Sequence, residues 1–244
     1  MEAEEFRFKK FSVKHLRSSM KVGVDAVLLG AWVRMESPKK ILEVGSGCGV
    51  ISLILAQRFP EAYIKGIDID TASVEEAREN FNRSAWKERL DCFEEKFPDS
   101  FLTSDEKYDL IISNPPYFRA GVLQPSTTRE RARHQDSLSM FSLLIHGKRL
   151  LNEKGAIAMI FPTEFMEEVL EISKESGLLL SHVCKVRNTV SKKDKRVLMK
   201  LELQSEKEFK EGTGSYIKEN LILFENGEPT EDYRILCKDF YLKF

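Results

Sequence analysis

Ile41-Leu42-Glu43-Val44-Gly45-Ser46-Gly47-Cys48-Gly49 decides the fold of this chain. A short, mostly apolar run reads as a strand and breaks at Gly45 into a glycine-rich turn. Val50-Ile51-Ser52-Leu53-Ile54-Leu55-Ala56-Gln57 then reads as a helix. Glycines let the chain turn sharply and let a ligand approach the backbone closely. A second strand, Ile64-Lys65-Gly66-Ile67-Asp68, ends in an acid. That acid falls roughly 20 residues past the turn, where a doubly wound fold places its ribose-binding carboxylate. Asp70 and Thr71 follow, so helix capping is the other role open to Asp68. The glycines are spaced G-x-G-x-G and not G-x-G-x-x-G. This favours a nucleoside cofactor over a nicotinamide dinucleotide.

Working outward, apolar runs recur at 41–45, 63–67, 90–93, 108–113, 155–161, 178–187 and 196–204. Helical patterns lie between most of them. Thr71 to Ser84 is one, with Thr71 as a cap and Val74, Ala77 and Phe81 on one face. Leu138 to Leu151 is another, and Pro162 is expected to open a third. Strand alternating with helix predicts an α/β fold: a seven-stranded, mostly parallel, doubly wound sheet with helices on both faces. The last two runs have only the polar link Asn188 to Lys195 between them, which predicts an antiparallel hairpin at the far end of the sheet. Residues 1–38 form an N-terminal segment expected to pack on a catalytic domain spanning 39–205. Residues 206–244 extend that same domain: a link at 207–215, a strand at 219–226, and Phe240-Tyr241-Leu242 packing back on the core.

The run Tyr108-Asp109-Leu110-Ile111-Ile112-Ser113 ends in Asn114-Pro115-Pro116-Tyr117. Two prolines cannot continue a strand and offer no backbone N–H. The residue before each proline is pushed to extended geometry. The product is a stiff corner displaying carbonyl oxygens, an amide side chain and an aromatic ring. Such groups accept hydrogen bonds from a planar –NH2 and stack on a flat base or amide. Pro-Pro alone also marks many ordinary loops.

Glycine turn, acidic strand end and Asn-Pro-Pro-Tyr, in this order, resemble a class I S-adenosylmethionine-dependent methyltransferase, whose sheet carries a reversed last strand. Phe11-Ser12-Val13 and the block from Met20 to Trp32 resemble the opening of the bacterial tRNA (adenine-N6)-methyltransferases. That family modifies the adenine 3′ of the anticodon of a valine tRNA. The likeness continues through Arg129 to His134 and Asp239-Phe240-Tyr241-Leu242, nearly the whole chain. It implies S-adenosylmethionine as cofactor, with Glu43, Gly45, Gly47 and Gly49 around its methionine part. Asp68 would take the ribose hydroxyls and Ile69 would pack on the adenine ring. Lys21 and Asp25 would lie near the methionine end. Asn114, Pro115 and Tyr117 form the implied catalytic set: two acceptors and a stacking ring. The chain departs from the pattern at Val24, where threonine is usual. Phe93-Glu94-Glu95-Lys96-Phe97 also lacks the expected acid for the cofactor's amino group, with Lys96 nearest and Glu95 one residue off.

With 244 residues, 42% of them hydrophobic, the chain can bury one large core. A formal net charge of −1 predicts no global attraction to nucleic acid. Locally the picture differs. Residues 185–200 hold seven basic side chains against Asp194 alone. Arg119, Arg129, Arg131 and Arg133 crowd the segment after the Pro-Pro corner. Together with Lys192, Lys193, Lys195 and Arg196 they are candidate phosphate contacts for tRNA, the expected partner. Cys48, Cys92, Cys184 and Cys237 lack C-x-x-C spacing, and the four histidines lack ligand spacing, so no metal is expected. The start is acidic and no apolar run is long enough to span a bilayer, which predicts a cytoplasmic protein, and nothing in the sequence signals an obligate dimer, so a monomer is expected. A protein glutamine amide is the alternative substrate, since it too presents a planar –NH2. A non-catalytic RNA-binding module, or a DNA adenine methyltransferase, accounts for fewer of these features.

Overall fold

The computed structural model describes residues 5–18, 20–115, 138–203 and 216–244. A small hairpin comes first: β1 (Glu5–Arg7) pairs antiparallel with β2 (Ser12–Lys14). Then follow α1 (Val24–Trp32), β3 (Lys40–Val44), α2 (Val50–Arg58), β4 (Tyr63–Asp68), α3 (Thr71–Asn82), β5 (Leu90–Glu94) and β6 (Tyr108–Ser113). The second half holds α4 (Met140–Arg149), β7 (Leu151–Pro162), α5 (Met166–Ser176), β8 (Leu178–Thr189), β9 (Arg196–Leu203), β10 (Ile217–Glu225), β11 (Glu228–Pro229) and α6 (Glu231–Cys237).

The main sheet runs β11-β10-β8-β9-β7-β6-β3-β4-β5. Strands β5, β4, β3, β6 and β7 are parallel, and β9 is antiparallel to both its neighbours. The parallel sheet with one reversed strand and the antiparallel hairpin of β8 and β9 are as expected. The reversed strand is the inner member of that hairpin, between β7 and β8, but β10 and β11 lie beyond it, so the hairpin is not the end of the sheet. The sheet also has nine strands among the described residues, not seven, because β10 pairs in parallel with β8 and carries β11.

Strand residues alternate between two cores, as the two-residue period of a strand requires. On β7, Ala156, Ala158 and Ile160 face one core. Ile157, Met159 and Phe161 face the other. The first core is closed by α1, α2, α3, α6 and the N-terminal hairpin, the second by α4 and α5. Helix α1 is buried from Ala26 to Trp32. It crosses α2 at Gly30, where a Cβ would meet the Ile54 side chain at 2.9 Å. The cap of α3 is Asp70 and not Thr71: its carboxylate accepts from the Ser73 N–H at 3.0 Å. Pro162 ends β7 instead of opening a helix. A single 3-10 turn, Thr163–Phe165, separates it from α5.

Both ends of the chain pack on the first core. Phe8 stacks at 4.5 Å on Phe11 and at 6.0 Å on Tyr241. Phe240 is buried as expected, while Leu242 is exposed. From β10, Glu219 accepts a hydrogen bond from the Trp32 indole at 3.1 Å and faces His182 at 2.9 Å. The expected link at 207–215 lies outside the described residues.

Candidate active site

Parallel strands deliver their C-terminal ends to one edge, and ligands of such sheets bind there. Here that edge carries Gly45 after β3, Asp68 at the end of β4, Glu94 at the end of β5 and Asn114 after β6. The register Glu43↔Ile112, continued by two residues, sets Asn114 beside Gly45. Ser113 locks this alignment by donating its hydroxyl to the Val44 carbonyl at 2.7 Å.

The glycine turn is held from both sides. Gly45, Gly47 and Gly49 all have positive φ, of 77°, 52° and 78°. That region is open to glycine at little cost. Gly49 has a second constraint, since a Cβ there would stand 2.5 Å from the Phe81 ring. Above Gly45, in contrast, a Cβ would meet nothing within 4 Å. The outer face of the turn is therefore open enough to seat a ligand against the backbone. Gly45 and Ser46 donate their N–H groups to the Ile67 carbonyl at 2.9 and 3.0 Å, which ties the turn to β4.

Asp68 organises the neighbouring corner. One carboxylate oxygen accepts from the Gly47 N–H at 2.8 Å and the other from the Asp70 N–H at 3.0 Å. Each oxygen keeps acceptor capacity for a further donor. Burial pushes its pKa up, against the lowering effect of these N–H groups. The residue is partly exposed, and Ile69 beside it shows an exposed apolar side chain. Capping of α3 falls to Asp70, which leaves Asp68 at the mouth of the turn.

Glu43 lies beneath. Its side chain is buried, and one oxygen accepts from the Ser52 N–H at 3.0 Å and from the Ser52 hydroxyl. The other oxygen is buried with no hydrogen-bond partner. Burial outweighs the Ser52 bonds and raises the carboxyl to about 8. A carboxyl in this state can turn anionic when a cationic group comes close.

The other candidates are placed as follows. Asn114 is partly buried and Pro115 is buried. Tyr117, Arg119, Arg129, Arg131 and Arg133 lie outside the described residues. Lys192, Lys193 and Lys195 are exposed in the link from β8 to β9, which stands at the same edge as the glycine turn. Arg196 differs from them: its Nε donates to Asp25 at 2.6 Å. Two residues expected to serve different ligands are thus an ion pair with each other. Glu94 accepts from the Thr71 hydroxyl at 2.9 Å, and Glu95 pairs with Lys65 at 3.0 Å. All four cysteines are buried and their thiols are pushed up to about 12, so none is a ready nucleophile. Among the described residues no cluster of His, Cys, Asp and Glu could hold a metal, and no helix is long and apolar enough to cross a membrane.

The model of the methyltransferase small domain family matches residues 18–174. A relative from Parabacteroides distasonis is 38% identical over 238 residues, covering 98% of each chain. One from Vibrio vulnificus is 34% identical, covering 100% of this chain and 98% of its own. Both carry the name tRNA1(Val) (adenine(37)-N6)-methyltransferase. The chain belongs to this methyltransferase family. It is an enzyme, and its class I fold is shared more widely. A structure from Agrobacterium tumefaciens, described as a predicted O-methyltransferase, superposes with a TM-score of 0.65 at 17% identity. It covers 88% of this chain and 96% of its own. The ribosomal protein L11 methylase of Lactobacillus delbrueckii superposes at 0.51 with 16% identity, covering 74% and 77%.

Sequence reasoning missed several residues that support this candidate site from behind. Ser113 aligns β6 with β3, and Ser52 holds Glu43. Glu76 and Asn80 face inward from α3 although they read as polar surface positions. Their only signal is helical spacing, since residues four apart share a face.

Proposed function

We propose that the enzyme transfers a methyl group from S-adenosylmethionine to N6 of adenine 37 in a valine tRNA. The observation that carries this reading is the position of Asn114 and Pro115 beside the open glycine turn, locked by Ser113 to Val44.

The residues present fit the cofactor. The open face above Gly45 admits it, and Asp68 has lone pairs left for two ribose hydroxyls. Ile69 offers an apolar surface for the adenine ring. The unpaired buried oxygen of Glu43 suits the positive methionine end. When bound, the cofactor supplies an electrophilic methyl group on a sulfonium.

The chain's own task is positioning. An adenine –NH2 is a poor nucleophile because its lone pair is delocalised into the ring. In this reading the Asn114 side-chain oxygen and the Pro115 carbonyl accept its two N–H bonds. They draw the nitrogen towards tetrahedral geometry and aim its lone pair at the neighbouring turn. Tyr117 supplies the stacking face. Orientation and electrostatics carry such a step without a strong base. Lys192, Lys193 and Lys195 contact phosphates, as do the arginines at 119, 129, 131 and 133. Arg196 contributes by holding Asp25. The target base must leave its stack to reach the corner, which costs less in a single-stranded loop than in a duplex. Segments 1–38 and 206–244 serve as decorations of one catalytic domain at 39–205. The enzyme acts as a cytoplasmic monomer, where tRNA is available to it.

Labelled S-adenosylmethionine incubated with unmodified bulk tRNA, followed by nucleoside analysis, tests the reading. Label in N6-methyladenosine is expected. Label at glutamine in a protein extract, with none in tRNA, would replace it with the amide substrate.

A further inference from the structure

Helix α3 buries three polar side chains, Ser73, Glu76 and Asn80, and the last two, one turn apart, are each 1% exposed. Burying a carboxylate is costly unless it is fully hydrogen-bonded. Glu76 is well supplied. One oxygen accepts the N–H groups of Leu16 and Arg17, each at 3.0 Å. The other accepts the Ser18 N–H at 2.8 Å. These three consecutive amides belong to the segment between β2 and α1, whose described residues have no regular secondary structure to satisfy them. Burial raises the Glu76 pKa, yet these N–H donors bring the net shift below the ordinary value.

The bonds of Glu76 continue toward the glycine turn. Ser18 donates its hydroxyl to the Met20 carbonyl at 2.8 Å. That same carbonyl oxygen lies 4.0 Å from the place where a Cβ of Gly47 would stand. One turn along α3, the Asn80 amide donates to the Lys14 and Cys48 carbonyls, both at 2.9 Å. A single face of α3 thus grips the segment before α1 and the glycine turn together. The Val22 N–H closes the arc by donating to His15 Nδ1 at 3.3 Å.

We infer that Glu76 is a positioning residue that holds the Met20–Lys21 stretch over the glycine turn and so sets the affinity for the nucleoside cofactor. This rests on the reading of the turn as the S-adenosylmethionine site. Glu76 accepts its hydrogen bonds from Leu16, Arg17 and Ser18 and not from the turn or Asn114, although its charge is felt at the Cys48 thiol. It acts by fixing three amides whose neighbours roof the turn. Its removal frees that roof and leaves Asn114, Asp68 and Glu43 in place.

The test is titration calorimetry with S-adenosylhomocysteine on the wild-type chain, Glu76→Ala and Glu76→Gln. The glutamine keeps one acceptor oxygen for the Leu16 and Arg17 amides and presents a donor to Ser18. Affinity is expected to fall about tenfold in the alanine variant and about threefold in the glutamine variant, below the scale of a full charge-assisted hydrogen bond because Glu76 acts only through the stretch it holds. Hydrogen exchange at amides 16–18 should accelerate in the same order. Turnover at saturating cofactor should stay within about twofold of wild type, since a bound cofactor meets the same acceptors. Faster exchange with unchanged affinity in a folded variant would overturn the inference, as would lost turnover at unchanged affinity. If Glu76→Ala does not fold, Glu76→Gln carries the test. Failure of the wild-type chain to bind would instead overturn the cofactor reading itself, and this inference with it.

Discussion

Arg196 Nε donates to Asp25 Oδ2 at 2.6 Å, joining the start of β9 to the first turn of α1. The pair spans 171 residues of sequence and links the hairpin that carries Lys192, Lys193 and Lys195 to the helix that follows the Met20–Lys21 stretch. Both side chains are about one-third exposed, so solvent screens the attraction. A coupling of ~0.5 to 1 kcal/mol is expected. A double-mutant cycle with Asp25→Asn and Arg196→Gln, read by thermal unfolding, measures it. Strict additivity of the two changes would show that the pair contributes nothing.

Asn114 and Asp68 should separate chemistry from binding. Asn114→Ala removes one acceptor for the amino group and is expected to lower turnover about 100-fold or more. Its affinity for S-adenosylhomocysteine should stay near that of the wild-type chain. Asp68→Ala should behave in the opposite way, with cofactor affinity falling first. Calorimetry together with single-turnover transfer decides between them. A weakened cofactor and unimpaired transfer per bound complex in Asn114→Ala would remove Asn114 from its role.

Glu43 makes stability depend on pH. Its carboxyl titrates at about 8 when folded, against 4.5 for an unburied glutamate. The folded state therefore holds a proton that the unfolded state releases at lower pH. The stability this group contributes is full below about 4.5 and is lost as pH rises through about 8. Glu43→Gln keeps an acceptor for Ser52 and cannot ionise. The variant should gain on the wild-type chain by on the order of 4 kcal/mol between pH 5 and pH 9. Melting curves at both pH values check this, and a constant difference between the two chains would refute it.

The exposed lysines of the β8–β9 link should act through phosphate. Replacing Lys192, Lys193 and Lys195 by alanine together is expected to weaken tRNA binding without changing affinity for S-adenosylhomocysteine. The slope of log affinity against log salt should become shallower by about 2, since each phosphate that is no longer neutralised removes about 0.7 to 0.9 from it. Filter binding over a range of salt measures both. An unaltered slope would place the tRNA elsewhere on the surface.

Much of this is legible in the chain because it rests on local rules. The strands at 41–45, 63–67, 90–93 and 108–113 announce themselves by short apolar runs. The glycine turn needs positive φ at Gly45, Gly47 and Gly49, which other residues rarely adopt. Strand β6 stops short of Pro115 because proline cannot extend a ladder. Pro162 is harder to read. A proline before a helical pattern suits a first turn, but here it still pairs with Arg196 at the end of β7. The extra strand pair β10–β11 is half visible: its apolar residues mark a strand, while its choice of β8 as partner depends on contacts far away in sequence.

By itself the sequence determined the class of fold, the glycine turn, the acid at Asp68 and the corner at Asn114. Each follows from backbone limits acting within a few residues. Tertiary structure alone decided which groups meet. It placed β9 between β7 and β8, tied Arg196 to Asp25, left one oxygen of Glu43 unpaired in the core and buried Glu76 against three amides of a distant segment. A charged side chain on a helix looks the same in sequence whether it faces water or backbone N–H groups. The difference lies in desolvation and in partners that only the folded chain brings within hydrogen-bonding distance.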